Sequence, residues 1–301
     1  MSWILIAILS YFLFSIVSVG DKYILKGPVN SVTYTFYIGI LGILSLFLIP
    51  FTGFFVPGFE QLLMCLLAGI VYIFANFFFL KGLERFEASR IVPSIGGLLP
   101  LFIFILVYFF SAGQEVLNPL EILSFVLLIS GSIAISIEPG KKISLKSFEI
   151  ASVAALFYAF SFIFNKYVYL EQSFWNGFLW IRIAVFFTAL SFLLVKSVRR
   201  ELFFKRTKFN KKTGLIFIAI QIVGAGGFIL QNIAVNMAGF SHLSLINALQ
   251  GVQYFFLFIF ATFISLKFPQ VFKEKISWPI IIQKVFSILV ISAGLIILVS
   301  K

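Results

Sequence analysis

Ten apolar runs of near-uniform length, separated by short polar gaps, constrain this chain more than any other feature. They lie near 3–20, 32–50, 61–80, 91–110, 120–137, 149–169, 175–195, 214–235, 243–266 and 279–299. A helix needs ~20 apolar residues to cross the hydrocarbon core, and in lipid the helix satisfies its own backbone polar groups. The gaps carry turn residues, among them Gly27-Pro28, Pro57-Gly58, Asn118-Pro119 and Pro139-Gly140. Only residues 196–213 form a longer polar connection, so no segment remains for a soluble catalytic domain. With 61% hydrophobic and 11% charged residues, the chain cannot coat a water-facing surface. The expected fold class is therefore an all-α polytopic membrane protein with ten transmembrane helices. The start, Met1-Ser2-Trp3, lacks the basic region of a signal peptide, so the first run reads as a retained helix.

The net charge of +12 invites a nucleic-acid partner, but the position of the basic residues argues for membrane topology instead. The gaps after runs 1, 3, 5, 7 and 9 hold 19 of the 23 Lys and Arg. The opposite side holds only Lys166 and Lys301, and Arg182 and Lys284 fall inside runs. The positive-inside rule then puts the odd-numbered gaps in the cytoplasm and both termini outside, in a plasma membrane. The block from Lys196 to Lys212 contributes the largest share of the bias, as a topology anchor or as a site for anionic lipid or a partner. The expected partners are membrane lipid and a small-molecule substrate, with no nucleic acid. Cys65 is the single cysteine, which removes an intrachain disulfide and a cysteine metal cluster; no cofactor or metal is expected.

The second half of the chain repeats the first. Run 1 ends in Asp21-Lys22-Tyr23 and run 6 in Asn165-Lys166-Tyr167; aligning runs 2 and 7 puts Tyr37 opposite Arg182. Runs 4 and 9 match Phe86 with Phe240, Gly97 with Gly251 and Leu101-Phe102 with Phe255-Phe256, and runs 5 and 10 pair Gly131 with Gly294. A unit of five spans makes the second copy enter the membrane from the opposite side. The domains are thus expected at 1–140 and 141–301, as two five-helix inverted-topology repeats. Such repeats place a substrate site near the midplane, beside interrupted helices. Run 4 carries Pro93, Gly96, Gly97 and Pro100, which weaken a helix. It is expected either to be interrupted at a site or to be a kinked packing helix.

The chain resembles a ten-span member of the drug/metabolite transporter superfamily with two EamA-like halves. The resemblance rests on Leu98-Leu99-Pro100-Leu101-Phe102, on Glu115 after that span, and on Leu128-Ile129-Ser130-Gly131. Phe178 to Leu190, with Arg182, resembles the arginine-bearing second span of a half, and Glu274 and Gly294 repeat the Glu and Gly marks. Gln114 stands where the family usually has Gly before the Glu, and Tyr37 where the first half often has Arg. The resemblance implies a transporter whose first, third and fourth spans in each half line a central cavity.

Polar residues inside the spans must face protein or a cavity, because unpaired polar groups in hydrocarbon cost several kcal/mol. Asn247, Gln250 and Tyr254 share one face of run 9, opposite Gly96 and Gly97 of run 4. Tyr158, Ser161 and Asn165 share a face of run 6; Tyr72 and Asn76 do so in run 3, and Asn232 and Asn236 in run 8, beside Gln231. These residues are expected to line the substrate path or to hydrogen-bond between helices. Arg182, deep in run 7, would pair with a carboxylate or phosphate or with freed backbone carbonyls; Lys284 is shallow enough to snorkel. His242 sits at a span edge, in a capping or interfacial role or in a proton relay.

All eleven acidic residues lie at span ends or in gaps, so a cation/proton antiporter with a mid-membrane carboxylate is disfavoured. One His, one Cys and peripheral carboxylates do not make an enzyme. The leading expectation is an alternating-access transporter of a small polar metabolite, such as an amino acid or another carboxylate bearer. The alternatives are a translocase for lipid or lipid-linked sugar and a non-transporting scaffold.

Overall fold

The computed structural model describes residues 2–24, 30–86, 88–114, 117–136, 145–196, 198–200, 211–267 and 278–299. Outside the described residues lie Gly27, Pro28, Glu115, Pro139, Gly140, Glu274 and positions 201–210 of the basic segment. All described regular structure is helical. The helices are α1 (Ser2–Ile24), α2 (Ser31–Thr52), α3 (Phe59–Arg85), α4 (Ala88–Phe110) and α5 (Pro119–Ser136) in the first half. They continue as α6 (Leu145–Glu171), α7 (Phe174–Leu194), α8 (Lys211–Met237), α9 in two pieces (Leu243–Ala248 and Gln250–Lys267) and α10 (Trp278–Val299). Among the described residues, α1, α2, α3, α6, α7 and α8 are long and apolar enough to cross a membrane; α4, α5 and α10 carry the shorter apolar stretches Ser94–Phe110, Pro119–Ala134 and Val285–Leu298. The chain is an all-α polytopic membrane protein.

Local chemistry sets the helix ends. The Asn30 side chain accepts from Thr33 N at 2.8 Å and caps α2. Gly53 stops that span with φ 64, a left-handed backbone that a Cβ would strain. Asn118 and Glu121 form a reciprocal capping box at the start of α5, with Asn118 N donating to Glu121 Oε2 at 2.9 Å and Glu121 N to Asn118 Oδ1 at 3.0 Å. Lys166 is buried, and its Nζ donates to the carbonyls of Asn236 at 3.0 Å and Ala238 at 2.5 Å. It neutralises the negative end of α8 and is no loop charge.

The weak helix and the broken helix are different ones. α4 runs unbroken through Pro93, Gly96, Gly97 and Pro100. The break falls in α9, at Leu249. There the carbonyl of Ile246 accepts from the Tyr11 hydroxyl of α1 at 2.9 Å. Proline's fixed φ is helical, so two prolines cost hydrogen bonds without ending the helix. The glycines of α4 serve packing instead: a Cβ on Gly96 would lie 2.2 Å from Tyr254 Oη, and one on Gly97 2.9 Å from Ile133.

The helices pack in exchange-related pairs. α1 lies along α8 as α3 lies along α6; α4 meets α6 as α1 meets the second piece of α9. α2 with α7, α5 with α10, and α4 with the first piece of α9 pair with their own counterparts. At α5–α10 the exchange holds residue by residue. A Cβ on Gly131 would lie 2.6 Å from Ile291, and one on Gly294 would lie 3.0 Å from Leu128. Contacts between Trp3 and His242, between Phe110 and Tyr167, and between Phe55 and Asn176 gather one set of helix ends, here the N-terminal face.

Candidate functional site

Arg182 sits eight residues after the start of α7, ~12 Å along the helix at ~1.5 Å per residue. It is 6% exposed. Its guanidinium carbon lies 4.0 Å from the centroid of Phe228 on α8, 4.9 Å from Tyr72 on α3 and 5.6 Å from Phe178 on α7. A fourth wall is α2: a Cβ on Gly42 would stand 3.8 Å from Arg182 Cδ and Nη1. Gly42 also opens the stretch Gly42–Leu48 in which α2 tightens into a 3-10 helix. Among the described residues, Nε and Nη2 of Arg182 have no hydrogen-bond partner, and no carboxylate pairs with the side chain.

A buried cation without a counter-ion is expensive, several kcal/mol even after relaxation. Three aromatic faces offset part of that at ~0.5–2 kcal/mol each. They attract the charge through their own π faces and offer no lone pair to its N–H donors. The unused Nε and Nη2 donors are the side-on edge that binds a carboxylate or phosphate through two parallel hydrogen bonds. Chemically, that edge is able to take an anion in a desolvated setting.

Around it the polar stripes fall into two groups. Tyr158 on α6 donates its hydroxyl to Asn76 Oδ1 at 3.1 Å, Asn76 Nδ2 donates to Tyr72 O at 2.8 Å, and the Tyr72 ring meets Phe228 edge-on. One turn further along α8, Asn232 Oδ1 accepts from Tyr169 Oη at 2.9 Å and from Asn165 Nδ2 at 3.2 Å. Asn232 Nδ2 donates to the carbonyl of Phe228 at 2.9 Å. Asn165 Oδ1 is buried and accepts nothing among the described residues. Thus Tyr72, Asn76, Tyr158 and Arg182 come together, and Asn165 and Asn232 adjoin them through Phe228.

The stripe on α9 goes elsewhere. Asn247 is fully buried and donates to Leu243 O of its own helix at 3.0 Å. Tyr254 is buried against Gly96, while Gln250 is half-buried at the start of the second piece of α9. The walls expected from runs 4 and 9 touch each other directly. His242 is an interhelical link: its Nε2 lies 3.0 Å from Glu121 Oε1, and its ring faces Trp3. The Lys284 side chain lies outside the described residues.

Phe228 and Tyr169 are the site residues that the sequence reading passed over. Phe228 stands four residues before Asn232, and Tyr169 four after Asn165, so each shares a helix face with a polar site residue.

Residues 1–137 match the EamA-like transporter family. No curated protein matches the chain. Among 29 matching chains of solved structures, one described only as "Crystal structure of protein" superposes with a TM-score of 0.71. It is 13% identical, over 99% of this chain and 98% of its own, so the likeness is one of fold.

Proposed function

We propose that this chain, which matches the EamA-like transporter family over residues 1–137, is a membrane transporter that carries a small carboxylate-bearing solute past Arg182. The observation that carries this reading is the buried guanidinium whose Nε and Nη2 edge lacks a partner. In a bilayer such an edge is tolerated where a ligand completes it. The Tyr72, Phe178 and Phe228 rings hold the guanidinium in place, and the carboxylate takes the in-plane donors. The solute is small because the collar is closely packed around the charge.

Transport proceeds by alternating access, with residues 1–140 and 141–301 as the two inverted repeats that rock around the site. The exchange-related helix pairing supports this division. The basic gaps face the cytoplasm of a plasma membrane, and both termini lie outside. Burial of Lys166 supports that orientation, since it removes one of the two opposing charges from the loop count.

Counterflow in proteoliposomes tests the substrate class. The panel holds amino acids, hydroxy acids, dicarboxylates and neutral or cationic analogues of matched size. The expected result is uptake of carboxylate bearers and background uptake with Arg182→Glu. Equal uptake of neutral analogues, or full activity of Arg182→Glu, overturns the reading.

A further inference from the structure

A second buried polar cluster lies on the N-terminal face, and it joins the two halves. Asn176, in the first turn of α7, is completely buried. Its Oδ1 accepts from the backbone N–H of Phe55 at 3.0 Å, and its Nδ2 donates to Gln172 Oε1 at 2.7 Å. Gln172 Nε2 reaches Gln61 Oε1 at 3.2 Å and Cys65 Sγ at 3.7 Å. Trp180 Nε1 donates to the carbonyl of Phe55 at 2.8 Å, and its ring stacks on Phe54 at 5.2 Å. Both backbone polar groups of Phe55, in the linker between α2 and α3, are therefore held by side chains of α7. Gln61, Cys65, Phe54 and Phe55 belong to the first half; Gln172, Asn176 and Trp180 belong to the second.

The equivalent position in the first half behaves differently. The alignment that sets Tyr37 against Arg182 sets Ser31 against Asn176. The Ser31 N–H and hydroxyl donate to Glu84 Oε2 at 3.2 Å and 2.5 Å, within the first half. At this pair of positions Asn176 ties the two halves together and Ser31 ties only its own; toward the opposite face the halves are joined by other residues, Gln253 Nε2 to Ser18 Oγ at 3.0 Å and Gln283 Nε2 to Ala134 O at 2.6 Å. In a two-state rocking mechanism the halves part on one face as they close on the other, and a polar tie across them must break in each cycle.

We propose that Asn176 is a positioning residue for transport: with Trp180 it latches the α2–α3 linker to α7, and releasing this latch opens the solute path on the N-terminal face. The proposal rests on the transporter reading above. It also supplies its own reporter. Cys65, the single cysteine of the chain, is 1% exposed inside the latch. Its thiol becomes reactive only when the cluster comes apart.

The experiment measures alkylation of Cys65 by a membrane-impermeant maleimide in the full-length reconstituted protein. Asn176→Ala removes both bonds of the hub. Trp180→Phe removes one donor and keeps the ring stack. Each is expected to raise the Cys65 reaction rate about fivefold to tenfold, as loss of one or two buried hydrogen bonds requires. Both are expected to change the maximal transport rate with KM unaltered; Asn176→Ala also lowers the melting temperature, because it leaves the Phe55 N–H and Gln172 Oε1 without their partner. An unchanged rate in both variants overturns the latch, and so does an equal rise in Gly131→Ala, a variant of lowered stability remote from the latch. Faster labelling in a native background that moves no carboxylate keeps the latch and discards the transport reading. Native carboxylate transport with unaltered labelling in the variants discards the latch alone.

Discussion

The guanidinium carbon of Arg182 lies over the Phe228 ring at 4.0 Å, and this contact offsets part of its desolvation while leaving its Nε and Nη2 donors unused. The distinction decides what the residue is for. A structural arginine in a membrane protein spends its donors on carbonyls or carboxylates, as Lys166 does on the end of α8. Arg182 keeps its side-on edge free at the cost of an unpaired buried charge.

Replacement by an apolar residue of similar length is therefore expected to stabilise the protein while abolishing function. Arg182→Met removes the desolvation penalty and keeps the packing of the stem against Phe228 and Tyr72. A gain of ~1–4 kcal/mol is expected, the range seen when a buried ionic group gives way to an apolar one. Thermal unfolding of the detergent-solubilised protein measures it, beside carboxylate uptake that falls to background. Arg182→Lys keeps the charge without the planar fork, and KM is expected to rise about tenfold or more. A melting temperature that drops on Arg182→Met would mark the arginine as structural.

Much of this arrangement was legible in the chain. The apolar runs gave an all-α membrane protein, with six described helices long and apolar enough to span, because hydrocarbon demands both length and apolarity; that the aligned Gly131 and Gly294 meet at one helix pair was not written in the alignment. The interruption was not legible. Run 4 has every local sign of a weak helix, yet α4 is continuous, and α9 breaks at Leu249 with neither Gly nor Pro at that residue. Beside that break the Tyr11 hydroxyl, 235 residues away in sequence, donates to the Ile246 carbonyl, a contact that local sequence does not announce. Phe228 was missed for a related reason. A phenylalanine in a span with 41 others in the chain carries no signal until a cation is placed beside it.

Gly96 and Tyr254 are expected to behave as one unit. A Cβ at Gly96 would meet Tyr254 Oη at 2.2 Å, and the tyrosine is buried with little space to retreat. Gly96→Ala is expected to cost ~1–3 kcal/mol through overpacking. Tyr254→Phe removes the clashing oxygen, so Gly96→Ala with Tyr254→Phe recovers most of the loss. A double-mutant cycle on melting temperature reads the coupling; additive effects would mean that α4 and α9 are not in contact here.

Lys166 tests the end of α8. Its ammonium holds the carbonyls of Asn236 and Ala238 and is 3% exposed. Lys166→Met leaves those acceptors buried and removes a cation from a helix C-terminus, with an expected loss of ~1–3 kcal/mol. Arginine can donate to the same carbonyls, so Lys166→Arg is expected to retain more stability than Met. Equal melting temperatures for the native protein and Lys166→Met would contradict the cap.

The α5–α10 contact gives a test of how faithfully the two halves mirror each other. At Gly131 a Cβ would stand 2.6 Å from Ile291 Cγ1 and 3.1 Å from both Ile291 N and Ser287 O, so backbone as well as side chain blocks it. At Gly294 the nearest atoms are Leu128 Cγ at 3.0 Å, Leu127 Cβ at 3.2 Å and Leu128 N at 3.2 Å. The mirror is close and not perfect, and the difference has a sign. Gly131→Ala forces the helices apart and is expected to cost ~1–3 kcal/mol, whereas Gly294→Ala is absorbed by smaller shifts and is expected to cost less. Shortening the opposing side chain then discriminates between the two sites. Ile291→Ala removes the Cγ1 that a Cβ at Gly131 would meet and relieves only part of its penalty, because Ser287 O and Ile291 N do not move. Leu128→Ala removes the Cγ that a Cβ at Gly294 would meet and relieves more of the smaller penalty there. Melting temperatures of the four single variants and the two pairs measure this. A larger penalty at Gly294 than at Gly131 would mean that the helices meet in another register.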